Sequence, residues 1–209
     1  MMHYLFMLPA AFFVPVIHEF VKAITSTLQG DPAPGDHGRL TLNPFKHFEP
    51  IGFMLMLIFW VGWGNPTPTT ALHYKNRQRG VVITYVTPVL VSLLLGVGVA
   101  MMMPALPRFG GTIGTQETYF IVYAILYYFA MFNICLALFN LIPVYPLAAN
   151  RLMIQFSQPN TIAMLNHHEK HMQAGLILLL AFSMLGSIIF PAASGIYDFA
   201  YLQLGAIWR

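Results

Sequence analysis

Charge is what this chain has least of: Asp, Glu, Lys and Arg make up 8% of its 209 residues. Soluble domains carry roughly a quarter of their residues as these four, so a water-soluble globule is excluded. Cysteine is nearly absent too. The single Cys135 rules out an internal disulfide, and its place in an apolar run makes redox compartment uninformative. Basic clusters with interleaved aromatics are missing and the net charge of +3 is dispersed, which argues against nucleic acid as a partner. Internal repeats and low-complexity tracts are lacking. The start, Met1-Met2-His3-Tyr4, has no basic n-region of the kind that precedes a cleaved leader, so the first helix is expected to stay.

What is present is apolar. The chain is 57% hydrophobic with a mean hydropathy of +0.66, and the expected fold is an all-α, polytopic membrane bundle forming a single domain over 1–209. Five apolar stretches can be marked: 4–28, 51–63, 80–103, 119–142 and 173–197. The second would rise only about 20 Å as a helix against a hydrocarbon core of about 30 Å, so it is a short mismatched span or a re-entrant piece. About five spans, within four to six, are expected. Thirteen methionines suggest adaptable packing between helices.

The connections are rich in turn formers, among them Asp31-Pro32, Pro34-Gly35, Asn43-Pro44 and the broken run Pro143-Val144-Tyr145-Pro146. Five crossings would put the N-terminus on the same side as connections 64–79 and 143–172. That side would hold five Lys/Arg against four on the other, a one-charge lean towards a cytoplasmic N-terminus.

The polar residues of the first stretch are the chemically suggestive ones. His18-Glu19-Phe20-Val21-Lys22 reads as the helical H-E-x-x-H zinc signature with its second histidine replaced by lysine. Residues i and i+4 lie about 40° apart around a helix, so His18 and Lys22 share the face where two imidazoles would grip one ion. An ammonium has no lone pair to donate. Ionisable residues inside a membrane mark a site by default. The plainer alternative is that the three satisfy one another near a helix end, with Lys22 snorkelling to the interface.

Three further segments carry a resemblance. Gly38-Arg39-Leu40-Thr41-Leu42-Asn43-Pro44, continuing through His47 to Gly52, resembles the G-R-L-T-L-N-P…H-x-D-P-x-G signature of the site-2 protease family. Gly62-Trp63-Gly64-Asn65-Pro66-Thr67-Pro68 is similar to its G-W-A-K-P-V-P stretch. Phe139-Asn140-Leu141-Ile142-Pro143-Val144-Tyr145-Pro146-Leu147 is similar to its F-N-L-I-P-x-x-P-L-D-G segment. The resemblance covers Ile17 to about Arg151. It implies a site-2 protease-like core, an intramembrane zinc endopeptidase whose ion is held by two histidines and the aspartate of L-D-G, with the glutamate activating the bound water. By that carry-over His18 is the first ligand and Glu19 the general base. Lys22 and Ala148 occupy the two lost ligand positions, and both functional residues are vestigial. Asn43, Pro44, His47, Asn140, Pro143 and Pro146 are further family-motif positions, while Thr87-Pro88 stands where Gly-Pro is usual.

Catalytic zinc ordinarily takes three protein ligands and an open fourth position. No cofactor is therefore expected. Lys22 would instead pair with Glu19 and take the place of the ion's charge without making a nucleophile. His167, His168 and His171 are read as an amphipathic surface segment, with an accessory metal site as the alternative. Three functions follow, in order: an inactive site-2 protease-like structural or interaction subunit of a membrane complex; an active zinc-dependent intramembrane endopeptidase with a remodelled site; and a transport or proton-relay role. The expected partners are the lipid bilayer and other integral membrane proteins, met through helix faces, and the expected location is the bacterial cytoplasmic membrane.

Overall fold

The computed structural model describes residues 2–109 and 115–208, and among them every regular element is a helix. The first, α1 (Met2–Leu28), contains Pro9 and Pro15. Three short helices follow: α2 (Ala33–Asp36), α3 (Pro44–His47) and α4 (Pro50–Phe59). Long helices α5 (Arg77–Met102) and α6 (Gln116–Phe139) come next, then α7 (Ala148–Gln155), α8 (Pro159–His167), α9 (Glu169–Ala181) and α10 (Gly186–Leu202). Starts are set by local chemistry. Asn43, Glu49, Asn76 and Thr115 each cap a helix by accepting a backbone N–H, and Pro44 and Pro50 sit at first helical positions.

Helices α1, α5 and α6 pack on one another as the central bundle. Close approach of α5 to α6 depends on Gly96: a Cβ there would lie 2.8 Å from the Ala130 carbonyl oxygen and 2.6 Å from Ile134 Cγ1. Helix α6 is buried along its second half, with Phe132 and Phe139 fully enclosed. Large apolar side chains such as Leu5, Leu94 and Phe120 are exposed, as lipid-facing positions of a membrane bundle would be.

Three helical segments are long and apolar enough to cross a membrane: Leu5–Leu28, Arg77–Arg108 and Gln116–Phe139. A fourth is possible only if Glu169–Ala181 and Gly186–Trp208, bent by 72° at a short break, count as one span. The expected fifth stretch is therefore broken. The left-handed Ser183 lies at the break, and no proline stands there to mark it.

The second apolar stretch does not span. Helix α4 is 10 residues long, about 15 Å, and stops at Trp60, whose φ of 66° turns the chain. Residues 61–70 then return without regular structure. The ends of the excursion meet where Asn65 N–H donates to the His47 carbonyl at 2.7 Å. Gly52 and Gly62 let the outgoing and returning backbones touch, for a Cβ on Gly52 would lie 2.0 Å from the Trp63 oxygen. This is the re-entrant geometry, and it corrects the sidedness expected from five crossings. Lys75 N–H donates to the Gln29 carbonyl at 3.2 Å, joining the end of α1 to the start of α5. Connections 29–76 and 140–168 thus share one face, opposite the N-terminus. Seven of the ten Lys/Arg lie on that face: Arg39, Lys46, Lys75, Arg77, Arg79, Arg151 and Lys170.

Candidate functional site

Helix α1 brings His18, Glu19 and Lys22 into the bundle, each no more than 6% exposed. Lys22 Nζ donates to Glu19 Oε1 at 3.2 Å and to Oε2 at 3.1 Å. Glu19 Oε2 also accepts the Thr67 N–H at 2.6 Å, and the Thr67 hydroxyl donates to the Glu19 carbonyl at 3.1 Å. The returning segment 61–70 is thereby stitched to α1. The Lys22 ammonium further lies 5.5 Å from the centre of the Tyr85 ring, within cation–π range. His18 Nδ1 is 3.0 Å from Ser92 Oγ on α5, which fixes the imidazole plane and leaves Nε2 as the nitrogen not engaged by the serine.

The other half of the site comes from the break after α6. Asn140 Oδ1 accepts the Ala148 N–H at 3.1 Å, its Nδ2 donates to the Leu136 carbonyl at 2.9 Å, and its own carbonyl accepts the Ala149 N–H at 3.0 Å. One asparagine thus satisfies backbone groups on both sides of the interruption, in the way buried irregular backbone requires. Pro143 lies within that turn, and Pro146 follows a cis peptide bond. His18, Glu19, Lys22, Asn140 and Ala148 all line one cavity of about 20 Å³, room for a water and little more.

The remaining sequence candidates hold the scaffold. Asn43 accepts the Phe45 N–H at 3.1 Å and Pro44 opens α3. His47 is buried, with Nε2 bonded to the Thr41 carbonyl at 2.8 Å and Nδ1 without a partner. Burial pushes its pKa below the usual histidine value, against the Thr41 bond, which favours the charged form. His167 and His171 do not share a helix, because α8 ends and α9 begins at His168. Among the described residues no group of three or more His, Cys, Asp or Glu side chains is placed to hold a metal ion.

Sequence reasoning missed three contributors. Thr67 lies inside a quoted motif, yet nothing in a linear reading says its N–H aims at Glu19. Ser92 is one hydroxyl in an apolar helix and carries no signal at all. Asp31 is 1% exposed. It accepts from Ser26 Oγ at 2.8 Å, Ala33 N–H at 3.0 Å and Thr70 N–H at 2.7 Å, while Ser26 Oγ lies 2.8 Å from Tyr74 OH. That network ties the end of α1 to both ends of the connection and so holds Thr67 in place.

With this geometry in view, the relevant likeness is to a Bacillus subtilis (strain 168) protein named "Putative zinc metalloprotease YwhC". Identity is 30% over 201 residues, covering 92% of this chain and 88% of that protein. The chain belongs to this metalloprotease family. No family model matches it, and no solved structure does. The relative's name raises zinc, and the residues of this chain do not fit the ion. An ammonium lies about 3 Å from both Glu19 oxygens, the Ala148 methyl offers no donor, and His18 is left as one imidazole where three protein ligands are needed.

Proposed function

We propose that the protein is a proteolytically inactive, site-2 protease-like integral membrane protein that acts as a structural or interaction subunit of a membrane complex. The observation that supports this is the buried Lys22–Glu19 ion pair. It satisfies the carboxylate that would otherwise deprotonate a zinc-bound water and places a cation where a divalent ion would sit. The protein's persistence then rests on packing against other membrane helices through its Met- and aromatic-rich faces, with location in a bacterial cytoplasmic membrane.

Elemental analysis of washed, purified protein, run beside a cleavage assay on a transmembrane peptide, tests the reading. Well under one zinc per chain and no cleavage are expected. About one zinc per chain, lost in His18→Ala together with cleavage, would establish the alternative: an active zinc-dependent endopeptidase with a remodelled site.

A further inference from the structure

Beside the small cavity lies a larger one of about 300 Å³, and the two share Lys22, Pro66, Tyr85 and Pro146 as walls. Three basic side chains line it: Lys22, His37 and Arg151. Thr70 and Tyr145 supply hydroxyls, those of Thr67 and Thr69 being bonded to the Glu19 carbonyl and Tyr85, and no carboxylate is among the described lining residues. The donor inventory runs well ahead of the acceptors. Lys22 has three N–H donors, two of which meet Glu19; the third has no hydrogen-bond partner among the described residues. Arg151 lies 5.3 Å from the centre of the Tyr145 ring and reaches Glu169 with Nη1 at 3.3 Å, leaving most of its fork unused. Glu169 balances its charge from outside the lining, through a pair whose side chains are 35% and 27% exposed. Such pairs are weak and readily exchanged.

We propose that this cavity binds a phosphate group, with Arg151 as forked ligand, Lys22 as buried point charge and Tyr145 as the platform that orients the guanidinium. A planar fork beside a compact ammonium suits a multi-oxygen anion better than a lone halide or a neutral amide. Depth points to a phospholipid headgroup as the source. Lys22 lies six residues inside the end of the Leu5–Leu28 span, about 9 Å of helix rise, while His37 and Arg151 belong to the connections beyond it, so the cavity bridges the end of the span and the headgroup level. The inference rests on Lys22 and Arg151 lining one cavity, not on the absence of proteolysis, so zinc content and phosphate binding are separately measurable.

The test uses the full chain in neutral detergent, titrated with dihexanoyl phosphatidylglycerol, dihexanoyl phosphatidylcholine and inorganic phosphate, with calorimetry and thermal unfolding as readouts. Saturable binding of the glycerol lipid is expected, weakened at least tenfold by Arg151→Gln. Glu169→Gln, which breaks the same ion pair but keeps the guanidinium, is expected to bind as well as the wild type or more tightly. Arg151→Lys, which keeps the charge and loses the fork, should fall between and serves if Arg151→Gln does not fold. Inorganic phosphate binding with the same Arg151 dependence, and no response to the lipid, would keep the site and make the free ion its source. No saturable binding of lipid or phosphate overturns the proposal. So does equal affinity across the Arg151 variants, whereas phosphatidylcholine, which carries the same phosphodiester, keeps the site if its binding shows the same Arg151 dependence.

Discussion

A lysine three residues after a glutamate is ordinary on a helix surface and costly inside a membrane. Here both side chains are 8% exposed, and each is tolerable because of the other. Removing one partner of a buried pair leaves an uncompensated charge, a loss of about 3–5 kcal/mol. Lys22→Met should therefore lower the unfolding temperature in detergent sharply, and adding Glu19→Gln should recover most of the loss. A Lys22→Met protein as stable as the wild type would show that the pair is not what holds this region. Metal affinity can be predicted at the same scale. Lys22→His alone supplies two imidazoles beside Ala148, whereas Lys22→His with Ala148→Asp restores three donors and removes the ammonium. Zinc titration should find stoichiometric binding only in the double variant. Binding by the single variant would mean that an unrecognised ligand is already in place.

At the scale of elements, the re-entrant excursion decides the architecture of the site, and its tightest points are glycines. A methyl on Gly52 or Gly62 meets backbone atoms at 2.0 Å, and backbone cannot rotate aside as a side chain can. Gly52→Ala and Gly62→Ala should each cost several kcal/mol. Gly98→Ala, with nothing within 4 Å of the added methyl, should be neutral or slightly stabilising through helix propensity. Equal unfolding temperatures for all three would refute the close backbone contact. His47 adds a pH dependence to the same excursion. Its pKa is lowered by burial, so the folded state binds fewer protons than the unfolded chain. Its contribution is present above the ordinary value near 6.5 and declines as pH falls below that, levelling off under the folded value. Protonation would also place a new N–H at Nδ1, where no acceptor waits. Thermal unfolding measured from pH 7.5 down to 5 should show His47→Gln losing less stability than the wild type over that interval. Parallel profiles would assign the acid sensitivity to other groups.

The whole molecule is polarised. Seven Lys/Arg gather on the face that carries connections 29–76 and 140–168, whereas the described part of the opposite face holds Arg108. By the positive-inside rule that face is expected to be cytoplasmic, with the N-terminus across the membrane. Single cysteines placed at Lys75 and at Glu117, in a Cys135→Ala background, report this directly. In intact cells an impermeant thiol reagent should label position 117 and spare 75 until the membrane is opened. The reverse pattern would invert the orientation.

Some of this was legible without a structure, for reasons of length scale. A helical period of 3.6 places His18 and Lys22 on one face whatever surrounds them, so their shared place in the site could be read from five consecutive residues. Low charge and long apolar runs likewise dictate membrane helices, because an unpaired backbone in lipid has no other way to satisfy its polar groups. The turn at Asn43-Pro44 and the broken run Pro143–Pro146 are also local, and both are found where their residue types place them. What tertiary structure alone decided is that 51–63 turns back instead of crossing, that 173–197 breaks, that Thr67 and Ser92 reach the site, and that a helix boundary falls at His168 between His167 and His171. The turn-back and the placing of Thr67 depend on contacts between separate segments, Trp63 against Gly52, Thr67 against Glu19, Lys75 against Gln29. No periodicity within one segment encodes where another will lie. The turn-back of 51–63 and the Lys75–Gln29 contact between the ends of α1 and α5 change which Lys/Arg are counted on one side, and with them the orientation to expect.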